Sequence, residues 1–159
     1  MAFSTVRNAV QIGRIGELLA QAVFEENGYK TARVNHEGFD LIIFDDEGEN
    51  YRVEVKACST RDGYNHRYQF MTSRGSKTKR MMTTSDADII CYVALDIRRC
   101  VIRCTSTISR KKTTVKTSEF ERQESSMINE ALCKVRKRRC ERCYWGQLQI
   151  SLETGLTVR

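Results

Sequence analysis

Residues 38–57 read Gly-Phe-Asp-Leu-Ile-Ile-Phe-Asp-Asp-Glu-Gly-Glu-Asn-Tyr-Arg-Val-Glu-Val-Lys-Ala. Phe39–Phe44 is apolar except at Asp40, and Asp45 to Asn50 is a run of turn formers. Tyr51–Ala57 then alternates, with Tyr51, Val53, Val55 and Ala57 on one face and Arg52, Glu54 and Lys56 on the other. Two such runs joined by a short polar stretch predict a β-hairpin. With its turn near residue 47 or 48, paired positions sum to about 95, which sets Asp40 opposite the Glu54–Lys56 stretch. Glu54 and Lys56 project from one face because strand side chains alternate. Two carboxylates and an ammonium are thus expected together at one end of a mostly apolar hairpin. A hairpin with an exposed Glu-Lys pair is common, but aspartate inside an apolar strand is disfavoured unless something uses it.

Upstream, Ile15, Leu18, Leu19 and Ala22 fall at i, i+3, i+4 and i+7, which predicts a helix over residues 8–27. Asn8 is placed to cap it and Asn27-Gly28 to stop it. Glu17 shares a turn with Gly13 and Gly16, small residues that would let the helix approach a sheet. Lys30–Val34 is expected as a strand. Downstream, polar loops at 59–67 and 74–85 flank a strand at Tyr68–Thr72. A second hairpin is expected from Ala87–Leu95 and Cys100–Thr105, turning at Asp96–Arg99. Ser118-Glu-Phe-Glu121 has the form of a capping box. The amphipathic helix after it carries Ile128, Ala131, Leu132 and Val135, with Arg136–Arg139 as its last turn. One or two short strands are expected from Tyr144 to Val158. The elements predict an α/β fold, a mixed central β-sheet flanked by helices, as one domain. Residues 1–109 would be its core and residues 110–159 a basic C-terminal helix with short strands.

The grouping of acids has a chemical reading. Hard divalent ions take carboxylate oxygens and keep several waters, so two or three acids suffice. Such an ion polarises a phosphodiester and makes water more acidic. A lysine beside the acids orients water or offsets charge on the phosphate.

Gly13-Arg-Ile-Gly-Glu17, then Gly38-Phe-Asp-Leu-Ile-Ile43, then Arg52-Val-Glu-Val-Lys-Ala57, resembles the core of the PD-(D/E)XK nuclease superfamily. Within it the chain is most similar to nucleases associated with group I introns (homing endonucleases) and to archaeal-type Holliday junction resolvases. The likeness spans about residues 10–105, and Phe39 stands where the signature has proline. It implies a restriction-endonuclease-like core of α-β-β-β-α-β type, with Asp40 and Glu54 as metal-binding acids and the Val55 carbonyl as a further ligand. Lys56 would be the catalytic lysine, Glu17 a supporting acid, and Gln69 of Tyr68-Gln-Phe70 a further group positioning water or phosphate. The implied cofactor is Mg²⁺, with Mn²⁺ as substitute.

The charge distribution points to a polyanionic partner. Residues 1–109 hold 15 Lys/Arg against 14 Asp/Glu, whereas residues 110–159 hold 12 against 6. Arg74, Lys77, Lys79 and Arg80, with Arg136, Lys137, Arg138 and Arg139, are the expected phosphate contacts to DNA. A solvated helix terminus favoured by the macrodipole explains part of the second cluster. Cys140-Glu-Arg-Cys143 lacks a matching pair, so free thiols rather than zinc are expected of the seven cysteines. His36, in the loop before Asp40, and His66 receive no role. No apolar run approaches the ~20 residues of a membrane span, and Met1–Arg14 has no apolar signal core, so a cytoplasmic location is expected.

The expected activity is metal-dependent, site-specific or homing-type DNA endonuclease. The alternatives are a Holliday junction or other structure-specific resolvase, and a non-catalytic DNA-binding protein with the same fold. Cutting two strands calls for a homodimer or homotetramer.

Overall fold

The computed structural model describes residues 8–154 apart from 37, 65 and 76; of residues 35, 36 and 145–154 only the backbone is described. Helix α1 (Ala9–Glu26) opens the chain, followed by β1 (Lys30–His36), β2 (Phe39–Phe44) and β3 (Asn50–Cys58). Asn8 caps α1, its Oδ1 accepting from the Gln11 N–H at 2.9 Å. After β3 come β4 (Arg67–Met71), β5 (Ser73–Arg74) and β6 (Arg80–Met81), then β7 (Ile89–Ala94) and β8 (Arg99–Cys104). Strand β9 (Lys112–Lys116) and α2 (Glu124–Thr154) complete it.

The central sheet runs β1-β2-β3-β7-β8. Only β3 and β7 are parallel; the other neighbours are antiparallel. Leu41 pairs with Val53 and Phe44 with Asn50, one position tighter than the turn alone predicts. All six residues of β7 are buried, as expected of a strand covered on both faces.

The two faces are covered differently. Gly16 of α1 sits over Val55 and Ala57, and Arg139 of α2 lies over the Tyr51 ring. Tyr51, Val55 and Ala57 share a face, so both helices pack on that side. On the other side, Phe70 meets Tyr92 at 4.9 Å between ring centroids, and Tyr92 is in register with Lys56. Tyr68 meets Phe120 at 4.9 Å. A two-stranded ribbon of β4 and β9 therefore covers the Glu54–Lys56 side of the sheet over β3 and β7.

Three features differ from the sequence expectation. Helix α2 continues through Arg136–Arg139 to Thr154 instead of ending there, so the segment from Tyr144 is helical and not stranded. The basic run and Glu141 are good helix formers, and neither proline nor an Asn-Gly pair stops them; residues 155–158 lie outside the described residues. Ser118–Glu121 does not open α2. It lies in a separate 3₁₀ turn, Thr117–Glu121, whose Glu119 Oε1 accepts from the Lys116 N–H at 3.2 Å. The connection from β3 to β7 is made of short strands, not the helix that the α-β-β-β-α-β order implies.

Cys91, Cys100 and Cys104 are buried in the core, Cys133, Cys140 and Cys143 are exposed, and all seven cysteines are free thiols. Among the described residues no helix is long and apolar enough to cross a membrane.

Candidate active site

The site forms where β2 and β3 part. The last register pair before the parting is Leu41 with Val53, and Gly38, at φ +143°, precedes Asp40 in the turn from β1. Beyond that pair the Val55 N–H donates to Asp40 Oδ2 at 2.7 Å, so a side chain replaces the missing backbone acceptor. The N–H and C=O of a strand residue point to the same edge, so the Val55 carbonyl faces this gap too.

Glu54 is almost fully buried, 4% exposed, between two cations. Lys56 Nζ donates to its Oε1 at 2.5 Å and Arg74 Nη2 to its Oε2 at 2.6 Å. Arg74 Nη2 also donates to the Gly38 carbonyl. Its Nε is buried with no hydrogen-bond partner and lies 3.9 Å from Asp86.

Glu17 arrives from α1. A Cβ on neighbouring Gly16 would stand 2.5 Å from the Ala57 Cβ, so only glycine lets the helix approach β3 this closely. Glu17 is paired with Arg33 at 2.6 Å. Asp40 reports the field of the group: burial, then the Glu54 charge, push its carboxyl up to about 6. Glu17 adds to this rise, while the Val55 N–H and Lys56 oppose it. Asp40, Glu54, Lys56 and Glu17 are therefore one electrostatic cluster.

The donors suit a hard cation that keeps its waters. Among the described residues no three His, Cys, Asp or Glu side chains are arranged to hold a metal. Mg²⁺ commonly uses one or two carboxylates, and Asp40 and Glu54 with the Val55 carbonyl supply that number. Burial first, and then the Glu54 charge, disfavour the charged form of Asp40, and a bound divalent ion would favour it. Because Arg74 already holds Glu54, such an ion would compete with it there.

The remaining expected residues are scattered. Gln69 is exposed on β4, across from Thr114, and makes no hydrogen bond to the acids. Arg80 forms a two-pronged pair with Asp86 at 2.7 and 2.5 Å. Lys77, Lys79 and Lys137 are exposed and in no ion pair among the described residues. Arg136 binds Asp45 and the Tyr51 hydroxyl, each at 2.8 Å. Arg138 binds Asp88 at 2.9 Å; Arg139 binds Glu49 at 3.2 Å and Asp88 at 3.3 Å. The His36 side chain lies outside the described residues.

Two features escaped the sequence reading. Arg74 was expected on phosphate, and nothing local pairs it with a residue twenty positions earlier. Strand β9 did leave a signal, the β-branched Thr113-Thr-Val115 between lysines, which the high local charge hid.

No family model matches the chain, and no curated protein matches its sequence. A solved bacterial homing endonuclease, I-Ssp6803I, shares the fold with a TM-score of 0.55 and 15% sequence identity, over 70% of this chain and 77% of that one.

Proposed function

We propose that this chain is a metal-dependent DNA endonuclease of the PD-(D/E)XK type, cutting at specific sites in duplex DNA. The observation that carries the proposal is the convergence of Asp40, Glu54 and Lys56 where β2 and β3 part, with the Asp40 carboxyl pushed up to about 6. A fold shared with a homing endonuclease supports it.

Asp40, Glu54 and the Val55 carbonyl would hold Mg²⁺ or Mn²⁺. The ion, when bound, supplies Lewis-acid polarisation of a phosphodiester and acidifies nearby water. Everything else falls to this chain. Lys56 places an ammonium beside the acids, where it offsets charge on an incoming phosphate or exchanges a proton with water. Glu17, held by Arg33, deepens the negative potential that draws a cation in. Arg74 holds Glu54 in its orientation. Two copies of the chain would be needed to cut both strands.

The test is a substrate panel in Mg²⁺ or Mn²⁺: linear duplex, four-way junction, flap and single-stranded DNA. Discrete fragments from linear duplex are expected. Cutting confined to junctions or flaps would make the same site that of a structure-specific resolvase. Binding without cutting of any substrate would contradict catalysis and leave a DNA-binding protein.

A further inference from the structure

A group of cations in no ion pair among the described residues shares one surface. In the ribbon of β4 and β9 the inward residues are Tyr68, Phe70 and Val115, all buried. The outward residues form three cross-strand pairs: Arg67 with Lys116, Gln69 with Thr114, and Met71 with Lys112. All six are exposed and none is acidic. Arg67, Lys112 and Lys116 are in no ion pair among the described residues, whereas Arg136, Arg138 and Arg139 are. Like charges directly opposite each other, as in Arg67 and Lys116, are destabilising in a sheet. Arg110 and Lys111, exposed at one end, and Arg61 and His66, exposed at the other, extend the same polarity.

We infer that the outer face of the β4–β9 ribbon enters the major groove of B-form DNA and presents that DNA to the Asp40–Glu54 site. The inference rests on the endonuclease reading for the last clause only. A major groove about 12 Å wide admits a two-stranded ribbon. Five residues at ~3.4 Å each cover about four or five base pairs. The chemistry along the face suits a groove. Arg67 and the lysines meet phosphates or guanine edges, Gln69 offers a paired donor and acceptor to adenine, and half-exposed Met71 meets thymine methyls. The ribbon also leads directly to the acids. Two residues lie between Met71 and Arg74, which touches Glu54, and four between Lys56 and Arg61.

The test measures binding of a 30-base-pair DNA duplex in EDTA, so that nothing is cut, over a range of salt. Wild type is compared with Arg67→Gln/Lys112→Gln/Lys116→Gln and with Lys134→Gln on α2. The ribbon variant should bind about 10²-fold more weakly, with a salt slope lower by about 2 to 3; the α2 variant should stay within about threefold. DNA should also protect Lys112 and Lys116 of the wild type from acetylation, a readout independent of how the variant folds. Unchanged binding by a folded ribbon variant, unprotected lysines, or equal affinity for an RNA duplex, whose deep major groove is closed to side chains, would each overturn the inference. A wild type that binds through the ribbon but cuts nothing would remove the endonuclease reading and leave the ribbon. One that cuts normally with the ribbon neutralised would do the reverse.

Discussion

Asp40, in β2, and Asp88, just before β7, stand in opposite electrostatic situations. Asp88 immediately precedes β7, 2% exposed, and takes hydrogen bonds or ion pairs from Arg52, Arg138 and Arg139. Burial pushes its carboxyl up, but the bonds and charge of Arg52 and the charge of Arg139 outweigh that and hold it below the usual range. Asp40 has one backbone N–H and acidic neighbours, and burial with those charges carries it up to about 6. One aspartate is surrounded by cations that the fold itself supplies, which makes it architectural. The other is buried beside the Glu54 carboxylate with no ion pair of its own among the described residues. Arg52, aligned with Asp88, stands four residues from Lys56, so the two situations are separated by roughly 13 Å of strand.

The contrast is sharpest in activity. Lys56→Gln leaves Glu54 its Arg74 partner, so the fold should persist while cleavage falls by about 10²–10⁴-fold, measured as single-turnover rate in Mg²⁺. At the other end the effect is on stability. Asp88→Ala strands Arg138, whose Nε and Nη1 already lack partners, and takes one partner each from Arg52 and Arg139. Urea unfolding should show a loss of about 3–5 kcal/mol. Gly16→Val forces α1 off Ala57 and should cost about 1–3 kcal/mol, with partial recovery in Gly16→Val/Ala57→Gly.

The smallest effect depends on pH. A carboxyl whose folded pKa lies above its unfolded value binds more protons when folded, so its contribution to stability declines as pH rises from about 4 through about 6. Asp40→Asn removes that decline. In EDTA at pH 7.5 the variant should be more stable than wild type by about 1–2 kcal/mol, after discounting for partial exposure. Thermal melts should show the difference vanishing near pH 4. Asp88, held low, keeps its contribution until pH falls below the ordinary aspartate range.

Much of the acid end was legible because its signals are local. Alternation from Tyr51 to Ala57, one aspartate in an apolar run and two glycines beside Glu17 each specify geometry within a few residues. Hairpin register alone set Asp40 opposite the Glu54–Lys56 stretch, whereas its side-chain bond from the Val55 N–H arises where the strands part. The basic end was read as free charge because composition counts cations and not their partners. Arg139 finds Glu49 and Asp88 across 90 and 51 positions, and no periodicity records that. Helix α2 ran past Arg139 because the arginines that looked like a terminal turn are mid-helix groups reaching the sheet. The β4–β9 ribbon was half visible, since β4 alternates clearly while β9 lies among charges.

The most direct test of the contrast is DNA cleavage by wild type and Asp40→Asn at pH 7.5, each with Mg²⁺ and with EDTA. Asn keeps an acceptor for the Val55 N–H but loses the charge, so the expected result is cutting by wild type in Mg²⁺ alone and none by the folded variant. Equal cutting by both proteins, or cutting that persists in EDTA, would contradict a metal-binding role for Asp40.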